Sequence, residues 1–320
     1  MHIDLSVTGH AVESVLTFFL IGLIGYVLAG RGWFTADARE MLSKLVTLVA
    51  LPLYLIHNIN SSMTKSELAQ LAYGVVPPFI SILFMLCLGL AAARFFGVPR
   101  LRRGIFCDGI VFSNTMYIGL PINLALFGEK AVPLVLLYYF ANTLFFWSVG
   151  NYLMAADGDN SGQPILSLDT LKKILTPSML GFIIGLVLLL LDVRLPAFLD
   201  NTARYMGNIT TPLVMLSIGI TIQRIGFSGI RFDRDMLLMF FGRFVASPAS
   251  IILVAGFFSL PEMMHKVFII QAALPMMSTL PILAIFHNID GEYATVAVSA
   301  STLAGLVTIP LSALVANLVV

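Results

Sequence analysis

The chain has 320 residues, 58% of them hydrophobic and 11% charged, with a formal net charge of +1 and a mean hydropathy of +0.95. That much apolar surface cannot be hidden in one soluble core of this length, so a soluble domain is excluded and an integral membrane protein is implied. A transmembrane β-barrel is excluded as well, because barrel strands alternate polar and apolar residues in ~10-residue pieces, whereas the run from Leu186 to Leu191 is unbroken.

Cutting at charged and Gly/Pro-rich joints gives ten apolar spans, at 11–30, 39–58, 69–93, 104–127, 131–154, 174–191, 203–223, 236–258, 265–287 and 293–318. Each is near the ~20 residues that cross hydrocarbon. The first follows Met1-His2-Ile3-Asp4, which lacks the basic region and cleavage site of a signal peptide, so it is expected to stay. The second holds Pro52, and Glu67 precedes the third. The fourth carries Asp108 about one turn in, then Ser113-Asn114-Thr115 and Gly119-Leu120-Pro121. After the fifth comes a polar stretch, 155–173, too rich in turn formers for lipid. Lys172, Lys173 and Ser178 flank the start of the sixth, and the seventh contains Pro212. Arg243 lies inside the eighth, and Gln271, Ser278, Thr279 and Pro281 lie in the ninth.

Two pairs of prolines keep one interval. Pro121 and Pro281 are 160 residues apart, as are Pro52 and Pro212. The chain thus reads as two copies of one design, a five-helix repeat over 1–154 and another over 174–320, joined by a connecting loop at 155–173. An odd number of spans inverts the second copy, which is a transporter architecture, and matched breaks point to the binding site. Twelve Lys/Arg residues belong to one face, against Lys65, Lys130, Arg194, Arg204 and Lys266 on the other. The positive-inside rule puts the first set, and the 155–173 loop, in the cytoplasm and both termini outside.

Proline removes a backbone donor and clashes with the preceding turn, so helix four is expected to open at 114–120 and restart with Pro121 near its first position. Helix nine is expected to do the same before Pro281. Restarted helices aim N–H groups and roughly half a positive charge at the break, which favours an anionic ligand. The polar lining would be Ser113, Asn114, Thr115, Gln271, Ser278 and Thr279, since irregular backbone at membrane depth survives only when protein or a wet cavity satisfies it. Arg243 would cost about 2.5–3.5 kcal/mol unpaired at mid-helix. It therefore either draws a second carboxylate of the ligand or pairs with Asp108 or a carbonyl at a neighbouring helix end. Asp108 is also a candidate for proton coupling. No phosphate-binding glycine loop and no metal-ligand spacing occur, so no cofactor, no metal and no nucleic-acid partner are expected.

Leu51-Pro52-Leu53, Ser113 through Pro121, Ser217-Ile218-Gly219-Ile220 and Ala272 through Pro281 resemble the auxin efflux carrier family over nearly the whole chain. That resemblance implies ten helices with broken helices four and nine crossing, helices one, two, six and seven as a scaffold, the rest as a moving domain, and a dimer. It implies that Asn114 holds the substrate carboxylate and that Pro121 and Pro281 are the breaking prolines. A basic residue before helix six, here Lys172 or Lys173, would pair with Glu67, and Ser178 stands where plant members carry asparagine. The expected protein is an all-α carrier of small organic anions such as malate or malonate in the cell membrane, not an enzyme. The alternatives are an exporter of auxin-like aromatic acids and a sensor that binds without transporting.

Overall fold

The computed structural model describes residues 17, 20–34, 36–62, 64–158, 172–225 and 232–320. Most of the 155–173 connection and part of the first span lie outside them. The described chain is helical throughout, with one isolated backbone bridge and no strand. Among the described residues, six helices are long and apolar enough to cross a membrane: Glu40–Ser61, Ala72–Phe95, Glu129–Asp157, Ala197–Arg224, Arg234–Ala255 and Gly291–Val319. They coincide with six of the expected spans. Of the others, 174–191 forms the shorter helix Pro177–Leu190, and 11–30 is described as Leu20–Gly30. The remaining two, 104–127 and 265–287, are each interrupted.

The interruption in span four differs from expectation. The helix Arg100–Val111 ends, residues 112–114 are extended, and winding resumes at Thr115 as a π-helical turn, Thr115–Gly119, before the α-helix Leu120–Phe127. The opening therefore precedes Pro121 by seven residues, and Pro121 is the second residue of an already resumed helix. A widened turn draws the carbonyl of the preceding turn away from the proline ring, which removes the clash that would otherwise break the helix there. The same device recurs. Three of the four π-turns among the described residues stop two residues before a proline, at Ala50/Pro52, Gly119/Pro121 and Ala246/Pro248. Span nine behaves as expected: Glu262–Ala272 ends, and Leu280–Phe286 begins with Pro281 in its first turn.

The chain divides into two compact units, and neither follows the sequence halves. One comprises the described parts of 1–72 with 120–133 and 175–227. Its centre is Leu51–Ser62, whose Leu51, Leu55 and Ile59 recur every four residues and are buried on one face. That face lies on Pro177–Leu190, which begins with Thr176 capping the Met179 N–H and Pro177 in its first turn. The helices approach closely because Gly181 meets Pro52: a Cβ there would sit 2.6 Å from the Pro52 Cα. His57, within Leu51–Ser62, pairs with Asp200 of the helix Ala197–Asn208 at 2.6 Å, and Lys65 pairs with Asp192.

The other unit comprises 73–119, 134–174 and 228–320, as far as these are described. Its centre is Arg100–Val111, buried continuously from Gly104 to Val111. The helix is pinned at its charged end. Arg102 bonds Asp290 at 2.7 Å and Asp233 at 2.9 Å and lies 4.2 Å over the Tyr293 ring, while the Asp157 carboxylate accepts from the Gly104 N–H at 2.6 Å.

Candidate functional site

In the second unit the two breaks supply each other's missing backbone bonds. The Asn114 N–H donates to the Pro275 carbonyl at 2.9 Å, and the Met277 N–H donates to the Phe112 carbonyl at 3.1 Å, forming the antiparallel bridge between Ser113 and Met276. Side chains close the rest. The Asn142 amide clamps Ser113, accepting from its N–H and donating to its carbonyl, both at 3.1 Å, and the Ser301 hydroxyl accepts from the Met276 N–H at 3.2 Å. Extended backbone inside an apolar fold is thus satisfied by protein, as membrane depth requires. Asn142 and Ser301 are absent from the sequence-derived site. The only signal for Asn142 was a lone amide in the apolar stretch Val132–Phe145.

The Asn114 carbonyl accepts from Ile118 and Gly119 and so starts the resumed helix. Asn114 is 7% exposed and its side-chain amide bonds to no other described residue, so both amide hydrogens are unengaged by protein there. Ser113, Thr115 and Gln271 are buried beside it, and the Gln271 amide points at the Thr115 carbonyl at 3.4 Å. The Gln271 Oε1 has no partner among the described residues. Gly119 allows this approach, since a Cβ there would lie 2.5 Å from that oxygen and 2.4 Å from Leu274 Cδ1. Thr279 immediately precedes the Leu280–Phe286 helix and is partly exposed, and Ser278 is exposed.

Arg243 is wholly buried in the π-turn Gly242–Ala246. One guanidinium nitrogen, Nη2, donates to the Ser247 hydroxyl at 2.9 Å and to the carbonyl of Ala272, the last residue of the helix before the second break. Of the partners expected for it, the carbonyl is therefore the one present. Asp108 is not. Both Asp108 oxygens are buried without a hydrogen-bond partner among the described residues, and a Cβ on Gly150 would stand 3.0 Å from each.

The remaining expected residues take other places. Lys173 extends over the Phe286 ring, 5.4 Å from its centroid, and Lys172 is exposed. Pro52, Glu67, Pro121 and Ser178 belong to the first unit. Glu67 is the third residue of a helix that starts after Thr64, and the two form a capping box. The Thr64 hydroxyl and N–H both bond its carboxylate and hold it below the usual carboxylate range. Ser178 is buried in the first turn of Pro177–Leu190. This unit also contains a cavity of about 290 Å³, lined by Tyr54, Gly128, Glu129, Asn208 and Thr211 among others, where Tyr54 and Asn58 donate to Glu129 at 2.6 and 2.5 Å. None of the residues singled out from the sequence lines it.

Comparison with known proteins places these features in a family context. The profile of a family described as membrane transport protein matches residues 10–313. An uncharacterized transporter of Methanothermobacter thermautotrophicus is 24% identical over 309 residues, covering 94% of this chain and 97% of that protein. The Escherichia coli K12 transporter YfdV, also uncharacterized, is 22% identical over 318 residues, with 96% and 98% covered. A Rhizobium meliloti protein named as a proposed malonate transporter is 23% identical over 215 residues, 65% of each chain.

Proposed function

The chain belongs to the membrane transport protein family, and from that premise we propose that it is a secondary carrier of small organic anions, carboxylates such as malate or malonate. The observation that carries this reading is the chemistry at the paired breaks. The Asn114 amide is available there, and neither 112–121 nor 272–281 contains an acidic residue. Donors without acids suit a carboxylate and disfavour a cation. The name of the Rhizobium relative points the same way.

In this reading the ten spans form two inverted five-helix repeats, and helices four and nine cross at the site. The moving domain is displaced elevator-fashion against a scaffold. The division of the chain suits that mechanism: the described parts of spans one, two, six and seven fall in one compact unit, and spans five, eight, nine and ten in the other. Span four departs from the pattern, since its second half, from Leu120, groups with the first unit. The carrier acts as a homodimer in the cell membrane with both termini outside the cytoplasm. Uptake of labelled acids by purified protein in liposomes, at controlled voltage and pH, is the test. Accumulation of malate or malonate above empty liposomes is expected. Absence of uptake across the panel, aromatic acids included, would leave only the non-transporting sensor.

A further inference from the structure

We infer that Arg243, Ser113 and Tyr138 form a second, buried anion pocket beside the first break, built for a carboxylate or a chloride-sized anion. A guanidinium carries five N–H donors in a fixed fork. The Ser247 and Ala272 bonds of Arg243 both use Nη2, while its Nε and Nη1 have no partner among the described residues although no part of Arg243 reaches solvent. The Ser113 hydroxyl is likewise buried and without a partner among the described residues. The Tyr138 hydroxyl neighbours both groups, and the ring is 1% exposed.

No carboxylate pairs with Arg243 among the described residues, and the partners of its Nη2 are a hydroxyl and a carbonyl, both uncharged. A buried cation without a counter-charge is costly, and two unused guanidinium nitrogens beside the unpartnered Ser113 hydroxyl make a donor-rich pocket that an anion completes. The same Ser113 is held by Asn142 and joined to Met276, so the pocket adjoins the paired breaks where the Asn114 amide lies. A ligand with two carboxylates would place one at Asn114 and the other at Arg243. This pocket rests on the reading of the chain as an organic-anion carrier. Its geometry serves equally for a free inorganic anion.

Titration calorimetry on the detergent-solubilised protein, in buffer whose other anion is a bulky sulfonate, separates these sources with malonate, monomethyl malonate and sodium chloride as probes. Wild type is expected to bind malonate at least tenfold more tightly than the monoester. Arg243→Lys keeps the charge but loses the fork, and Ser113→Ala removes one oxygen. Each is expected to lose malonate affinity tenfold or more while binding the monoester within threefold of wild type. Where Arg243→Lys fails to fold, Ser113→Ala and Tyr138→Phe carry the test. Chloride binding that vanishes in these variants, without any preference for malonate, assigns the pocket to inorganic anion. Malonate preference and chloride binding unchanged in variants that unfold thermally like wild type overturn the pocket. Failure of wild type to bind either organic acid overturns the carrier reading instead, and the chloride titration then decides the pocket alone.

Discussion

The backbone N–H of Asn114 lies 2.9 Å from the carbonyl of Pro275, so a residue in one interrupted span completes a residue in another 161 positions away. The two interruptions are consequently one structural unit. Removing the partner of either would strand polar backbone in an apolar interior, at about 1–3 kcal/mol per group. That mutual dependence engages the Asn114 backbone and leaves its side-chain amide unbonded among the described residues.

Asn142→Ala removes the clamp on Ser113 and leaves its N–H and carbonyl without their side-chain partner. A loss of about 1–3 kcal/mol is expected. Thermal unfolding in detergent measures it, and an unchanged transition would mean that the break does not depend on the clamp.

Asn114→Ala should fold and insert normally yet bind an identified carboxylate ten- to a hundredfold more weakly, the ~1.5–3 kcal/mol of a hydrogen bond to a charged group. Ser61→Ala is the control, because Ser61 is exposed and its hydroxyl bonds the His57 carbonyl. Equal affinities by calorimetry would move the ligand away from the break.

Gly181→Ala places a methyl carbon 2.6 Å from the Pro52 Cα and carbonyl oxygen, atoms that can move only if the backbone does. Overpacking of this kind costs about 1–3 kcal/mol. Gly256→Ala meets nothing closer than 3.4 Å and should be tolerated. The two variants unfolding alike would contradict the close helix approach.

Arg94 and Lys130 are exposed and, on the proposed topology, lie on opposite sides of the membrane. In intact cells an impermeant thiol reagent should label Lys130→Cys and spare Arg94→Cys, read in a background without Cys87 and Cys107. The reverse pattern would invert the orientation.

Much of this molecule follows from its amino-acid order. Apolar runs define the helices, because each residue's preference for lipid is a property of its own side chain. Pro281 marks the start of a resumed helix because its missing N–H acts on its own turn. The placement of Pro121 was less legible: a π-turn absorbs the proline, and the break falls at 112–114, where the partner strand of backbone lies. The need for a partner at Arg243 was readable from the cost of a buried charge. Its partner, the Ala272 carbonyl 29 residues on, was not.

What the sequence determined by itself is therefore local: a membrane protein of apolar helices, two of them broken near prolines, with amides and hydroxyls at the breaks. What only the tertiary structure decided is pairwise. Asn142 seizes Ser113, Ser301 accepts from Met276, Asp108 is left without a partner among the described residues, and compact units draw on both sequence halves. Hydropathy and backbone stereochemistry act within a turn or two of chain, whereas a hydrogen bond between residues tens of positions apart exists only once packing has brought them within 3 Å or so of each other.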